Sequence, residues 1–101
     1  MNTILAQFRI IPGKEAEAEE AMKTMAASVE SKESGARTYI FHRNLKDPLA
    51  VSVWEIYADD AASAAHRATE YMAAFRTYFG PLFDPETVKI ERLERIAGFS
   101  R

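Results

Sequence analysis

Hydrophobic and polar positions change rhythm several times along the chain, and each change marks an element. Residues 3–11, TILAQFRII, alternate, with Ile4, Ala6, Phe8 and Ile10 on one side, which predicts a β-strand. Pro12 and Gly13 end it. From 14 to 33 the period lengthens: Ala18, Met22, Met25 and Val29 recur at i, i+4, i+7 and i+11, the stripe of an amphipathic helix. Glu15, Glu17, Glu19, Glu20 and Lys23 fill much of the remaining surface, with Glu19 and Lys23 as an i,i+4 pair, so the acidic run reads as a solvated face. Glu33-Ser34-Gly35 predicts a glycine-type helix end.

Alternation returns over 36–44 and again over 49–58, and the short LKDP turn between them at 45–48 makes these strands a hairpin. Asp59 or Asp60 is suited to cap the alanine-rich run that follows, AASAAHRATEYMAAF at 61–75. As one straight helix over 61–79, this run would turn Ala61, Ala65, Ala68, Met72, Phe75 and Phe79 to the core and leave His66 nearly opposite, in water. A break near Ala68–Thr69, with Thr69 capping a second short helix, would let His66 point inward. The alanines are small either to leave room for a ligand beside His66 or to let the helix lie close to the sheet. GPLFDP at 80–85 is an irregular return, and 86–96 closes as a fourth strand. The order β-α-β-β-α-β predicts an α+β, ferredoxin-like fold: a four-stranded antiparallel sheet with its helices on one face, in a single domain over 1–101.

Two helices cover only one face of such a sheet. Strand one is nevertheless apolar on both, with Leu5 and Ile11 opposing the first set, and strand three sets Val51 and Val53 against Trp54 and Ile56. A wet second face should be polar. Burying each large side chain is worth roughly 1.5–3 kcal/mol, so the pattern predicts a second copy packed sheet to sheet, a two-fold homodimer.

Composition narrows the chemistry. The chain is 48% hydrophobic and 28% charged with a formal net charge of −2, so it lacks the basic excess of a nucleic-acid binder. It has no cysteine, which excludes disulfides, thiolate metal sites, iron–sulfur clusters and cysteine nucleophiles. Two histidines without suitably spaced carboxylates predict no metal site. Gly13-Lys14 lacks a phosphate-cradling loop around it, and no dinucleotide or flavin fingerprint is present. No apolar run nears the roughly 18 residues that span a bilayer, and the first residues lack the basic-then-apolar order of a signal peptide; the expectation is a cytoplasmic protein without membrane contact.

ILAQFRIIPGKEAE, SGARTYIFHRNLKDP, VSVWEIYADDAASAAHRATEYMAAF and VKIERLERI together resemble the antibiotic biosynthesis monooxygenase superfamily over essentially the whole chain. The most telling matches are Glu55, late in strand three, and the Ala65–His66 pair in the next helix. A second family pair, His-Phe-like, falls at Tyr71–Met72, so its histidine is absent. The resemblance implies a dimeric α/β barrel and cofactor-independent oxygenation of a small aromatic or quinol-type molecule. The haem-degrading branch relies on an Asn, a Trp and a His whose positions here fall at or near Gln7, His66 and Arg76; an arginine cannot be deprotonated to ligate iron, so that branch is set aside.

His66 is the expected base, since an imidazole accepts a phenolic proton near neutral pH. Tyr71 is the expected hydrogen-bond donor, and Tyr39, Trp54 and Phe75 the expected walls of a pocket between helices and sheet. Glu55, flanked on its face by Val53 and Tyr57, is expected part-buried in or near the pocket, with an arginine such as Arg43 or Arg92 as its partner if its role is structural. Two other classes fit the same residues: a stress-related or regulatory module that holds a small metabolite without turnover, and an isomerase or lyase acting on a small carbonyl compound.

Overall fold

The opening alternation becomes β1, Asn2–Ile10, the strand around which the sheet is built. The computed structural model describes residues 1–101. After β1 come α1 (Glu15–Lys32), β2 (Ala36–Arg43), β3 (Ala50–Tyr57), α2 (Asp60–Arg67), α3 (Glu70–Arg76) and β4 (Phe83–Leu93). The strands order β2-β3-β1-β4, all antiparallel, as the ferredoxin-like reading requires. The stripe of α1 is buried as its spacing predicts: Ala18, Met22, Met25 and Val29. It joins Phe8, Phe75 and Phe83 in one core, where the Phe8 and Phe83 rings meet edge to face at 4.9 Å.

The end of α1 departs from the glycine-type expectation. Glu33 closes the helix through its own N–H to the Val29 carbonyl at 3.0 Å. Gly35 is not in the left-handed region; it is small because a Cβ there would come within 2.6 Å of the Ala62 Cβ. The Ala58 N–H donates to the Gly35 carbonyl at 2.8 Å, fixing the loop against the start of α2.

The alanine-rich run does break. Thr69 has an extended conformation, accepts a hydrogen bond from the Met72 N–H at 3.2 Å and donates to the His66 carbonyl at 2.9 Å, so it ends α2 and starts α3. Asp59, rather than Asp60, caps α2, accepting from the Ala62 N–H at 2.8 Å. The buried residues of α2 are Ser63 and His66; Ala61, Ala64, Ala65 and Ala68 are exposed.

Strand β4 starts three residues before its expected position because Phe83 pairs with Ile10 and is fully buried. The register then slips between Gln7 and Arg9, and Pro85, which has no N–H to give, falls in the slip. The Arg9 N–H donates instead to Thr87 Oγ1 at 2.9 Å. Residues 94–96, expected in the strand, lie outside it.

The register assigns the two sheet faces. Ala6, Val53 and Phe41 share a row toward the helices, as do Arg92, Ile4, Glu55 and Tyr39. Leu5, Trp54 and Ile40 share the adjacent row on the other face, which no helix covers. Residues 94–101 pass over this second face beside Trp54 and Ile56, with Ile96 and Phe99 exposed. No helix is long and apolar enough to cross a membrane.

Candidate functional site

Between α2, α3 and the sheet lies a cavity of about 260 Å³. Breaking the alanine-rich run rotates the buried side of α2 onto it, and His66, only 4% exposed, is packed there between Tyr39 and Tyr57, its ring centroid 5.1 and 5.4 Å from theirs. His66 Nδ1 lies 3.0 and 3.1 Å from the two carboxylate oxygens of Glu33. A carboxylate oxygen accepts, so this pairing puts a proton on Nδ1 and, in the neutral ring, leaves the lone pair on Nε2. Nε2 has no protein partner, yet Asn2 Oδ1 is the one sealed side-chain polar atom left unpaired. His66 itself lines the cavity.

Glu33 also accepts a hydrogen bond from the Tyr71 hydroxyl. One carboxylate at the end of α1 thus ties together α2 and α3. Partial burial and this bond push the Tyr71 phenol up to about 12.

On the floor, Glu55 accepts a hydrogen bond from the Tyr57 hydroxyl at 2.5 Å through Oε1. Burial raises its pKa above the usual carboxylate range, against the opposing effects of that bond and of nearby His66. Burial also raises the Tyr39 and Tyr57 phenols strongly, and the charge of Glu55 adds to it.

Four expected site residues meet here: His66, Glu55, Tyr39 and Phe75 all line the cavity. Two do not. The Tyr71 hydroxyl donates to the Glu33 carboxylate, and its ring faces an outer groove between α1 and α3. Trp54 projects from the opposite sheet face, since the strand alternates and Val53 and Glu55 take the helix side. Neither arginine considered for Glu55 reaches it: Arg43 pairs with Glu19 at 3.3 Å and Arg92 with Asp60 at 3.4 Å. No alanine of 61–68 lines the cavity; Ala62 is small for Gly35 and the others face water.

Glu33, Tyr57 and three lining arginines (Arg67, Arg76 and Arg92) were not singled out as site residues. Glu33 carried a signal: a glutamate at a helix C-terminus opposes the helix dipole and needs a compensating reason. His66 is that reason. His42, by contrast, is exposed, its Nδ1 3.3 Å from the Ser52 carbonyl.

Comparison with known proteins extends this geometry. The sequence model of the antibiotic biosynthesis monooxygenase family matches residues 1–78, which include Glu33, Glu55, His66 and Tyr71. The structure of PA3566 from Pseudomonas aeruginosa is 28% identical, covers 95% of this chain and 94% of its own, and superposes with a TM-score of 0.85. A Caulobacter crescentus protein, named as a candidate antibiotic biosynthesis monooxygenase, is also 28% identical, with coverage of 95% and 90% and a TM-score of 0.87. Rv0793 from Mycobacterium tuberculosis, at 19% identity, shares the fold over 98% of both chains with a TM-score of 0.85. No curated protein matches the chain in sequence.

Proposed function

The chain belongs to the antibiotic biosynthesis monooxygenase family, and from that premise we propose that it is a cofactor-independent monooxygenase acting on a small aromatic or quinol-type molecule with dioxygen. The observation that carries this reading is His66, held through Nδ1 by Glu33 in the lining of a largely apolar cavity, with Nε2 free to act as base. His66 Nε2 takes the hydroxyl proton of a bound hydroquinone, and the electron-rich phenolate that results reduces dioxygen. One oxygen atom enters the ring and the other leaves as water, so the hydroquinone becomes a hydroxyquinone and supplies all the electrons.

Glu33 fixes the tautomer and orientation of His66 and stabilises the imidazolium, in the manner of a base-orienting carboxylate. Tyr71 acts one step back, holding Glu33. Glu55 pairs with a second substrate hydroxyl from the floor of the cavity, and Tyr39 and Phe75 serve as apolar walls. The functional unit is a homodimer formed through the uncovered sheet face, where Leu5, Ile40 and Trp54 support the reading.

Oxygen uptake with a panel of hydroquinones is the test. His66→Ala should lower kcat by about 10²–10⁴-fold while leaving binding of a non-oxidisable phenol largely unchanged. Glu33→Gln should give a smaller loss and displace the pH profile, which removal of a purely structural contact would not do. Tight binding of the panel without oxygen uptake would overturn the oxygenase reading in favour of a binding module.

A further inference from the structure

The cavity differs in charge from one end to the other. The helices pack chiefly over β2 and β3; on β4, Phe83 is buried against Phe75 of α3, whereas Val88 and Ile90, which line the cavity, remain 41% and 65% exposed. The opening therefore lies along β4. Three arginines reach the lining from three elements: Arg67 at the end of α2, Arg76 at the end of α3 and Arg92 on β4. Arg67 donates to Ser63 Oγ at 2.8 Å, and Arg76 donates to the Arg67 carbonyl at 2.8 Å. These bonds hold each guanidinium in place, and neither has a carboxylate partner. The contact of Arg92 with Asp60, at 3.4 Å between side chains 72% and 89% exposed, is a weak surface pair.

The one carboxyl in the lining, Glu55, is buried at 8% exposure, whereas all three arginines are exposed. Arg92, Ile4 and Glu55 stand in one row on β4, β1 and β3, so cation and carboxyl are two strand spacings apart, roughly 10 Å. Between them the walls are aromatic and aliphatic, with Phe8, Phe41, Phe75, Phe79 and Met72 around the bore. At about 260 Å³ the space is just below the roughly 300–1,000 Å³ of drug-sized sites, which suits one or two rings.

We propose that the molecule taken into this cavity is an aromatic acid: its hydroxyl lies at His66 and Glu55, and a carboxylate at the far end of the ring system meets Arg67, Arg76 and Arg92. A planar carboxylate matches the forked donors of guanidinium groups, and an aromatic ring of this length places the two ends correctly. The assignment rests on the preceding reading only for which end holds the hydroxyl. It is tested by binding, separately from oxygen chemistry.

The probes are 6-hydroxy-2-naphthoate and its neutral amide, both monophenols, titrated calorimetrically against the wild-type protein and against Arg67→Met with Arg76→Met. The acid should bind at least about tenfold more tightly than the amide, the gain of a charge-assisted pair, and the preference should shrink with added salt. In the double variant, with only Arg92 left to meet the carboxylate, the acid should lose most of that advantage while the amide keeps its affinity. Equal affinity for acid and amide, a preference undiminished in the double variant, or no binding of the acid would overturn the proposal. Absence of oxygen uptake with every hydroquinone would overturn the oxygenase reading and leave this one standing.

Discussion

The two faces of the sheet are built from the same alternating strands and differ in what their apolar residues are for. On the helix side, Ala6, Phe8, Val51 and Val53 are buried within the chain, and the same face admits a polar pair, Glu55 and Tyr57. On the other side, Leu5, Ile40, Trp54 and Ile56 form an apolar surface with no helix over it and Ile40 still 49% exposed. Burial by the chain's own helices permits a cavity and a tuned carboxyl. An apolar face with no helix over it, crossed by the chain's last residues, is the surface on which the proposed dimer rests.

Neighbouring positions 53 and 54 allow the sharpest break in this comparison. Val53→Asp places an unpaired charge in the core and should cost several kcal/mol of the 5–15 kcal/mol typical of a domain, unfolding the chain by circular dichroism. Trp54→Asp should leave the secondary structure intact and dissociate the dimer. Light scattering should give about twice the 11.4 kDa chain mass for the wild type and the chain mass for this variant. A wild-type monomer at micromolar concentration would remove the account of the open face.

A methyl group is enough for a finer test. Gly35→Ala should cost about 1–3 kcal/mol in urea unfolding, because the new Cβ meets Ala62 at 2.6 Å, and Ala62→Gly in the same chain should recover part of the loss. Ala65→Leu, on the exposed side of α2, should shift stability by no more than about 0.5 kcal/mol and leave ligand binding unchanged.

The smallest effect concerns Glu55 and follows pH. Its folded-state pKa is raised, so the stability it contributes is fully present below the unfolded value near 4.3 and fades as pH rises through the folded value. Glu55→Gln should therefore flatten the decline in stability that accompanies rising pH above about 4. Urea midpoints from pH 4 to 8 would check it. An equal slope in both proteins would mean that Glu55 titrates as it does in the unfolded chain.

Much of this contrast is legible in the sequence, and the omissions have physical causes. Alternation and the i, i+4 stripe of α1 specify elements because burial is periodic, and the double apolarity of β1 and β3 marks the uncovered face. Alternation alone cannot say which of Val53 and Trp54 faces the helices, because both sets are apolar and the choice depends on where the helices pack. The Glu33–His66 pair was hidden for another reason: the residues are 33 positions apart, and only the close approach of Gly35 to Ala62 brings the end of α1 to α2. Distance in sequence likewise hides the partner of Tyr71, since the Glu33 carboxylate that takes its hydroxyl is 38 positions away.

Trp54 is the only tryptophan in the chain, and it lies on the face away from the cavity. The protein therefore carries its own optical reporter, placed where it answers one question and ignores another. The wavelength of its emission follows the polarity around the indole, so dilution that separates subunits should move it to the red. Filling the cavity, with a β-sheet between ligand and indole, should leave that wavelength where it was. Association and occupancy can thus be followed as separate signals in one unlabelled sample.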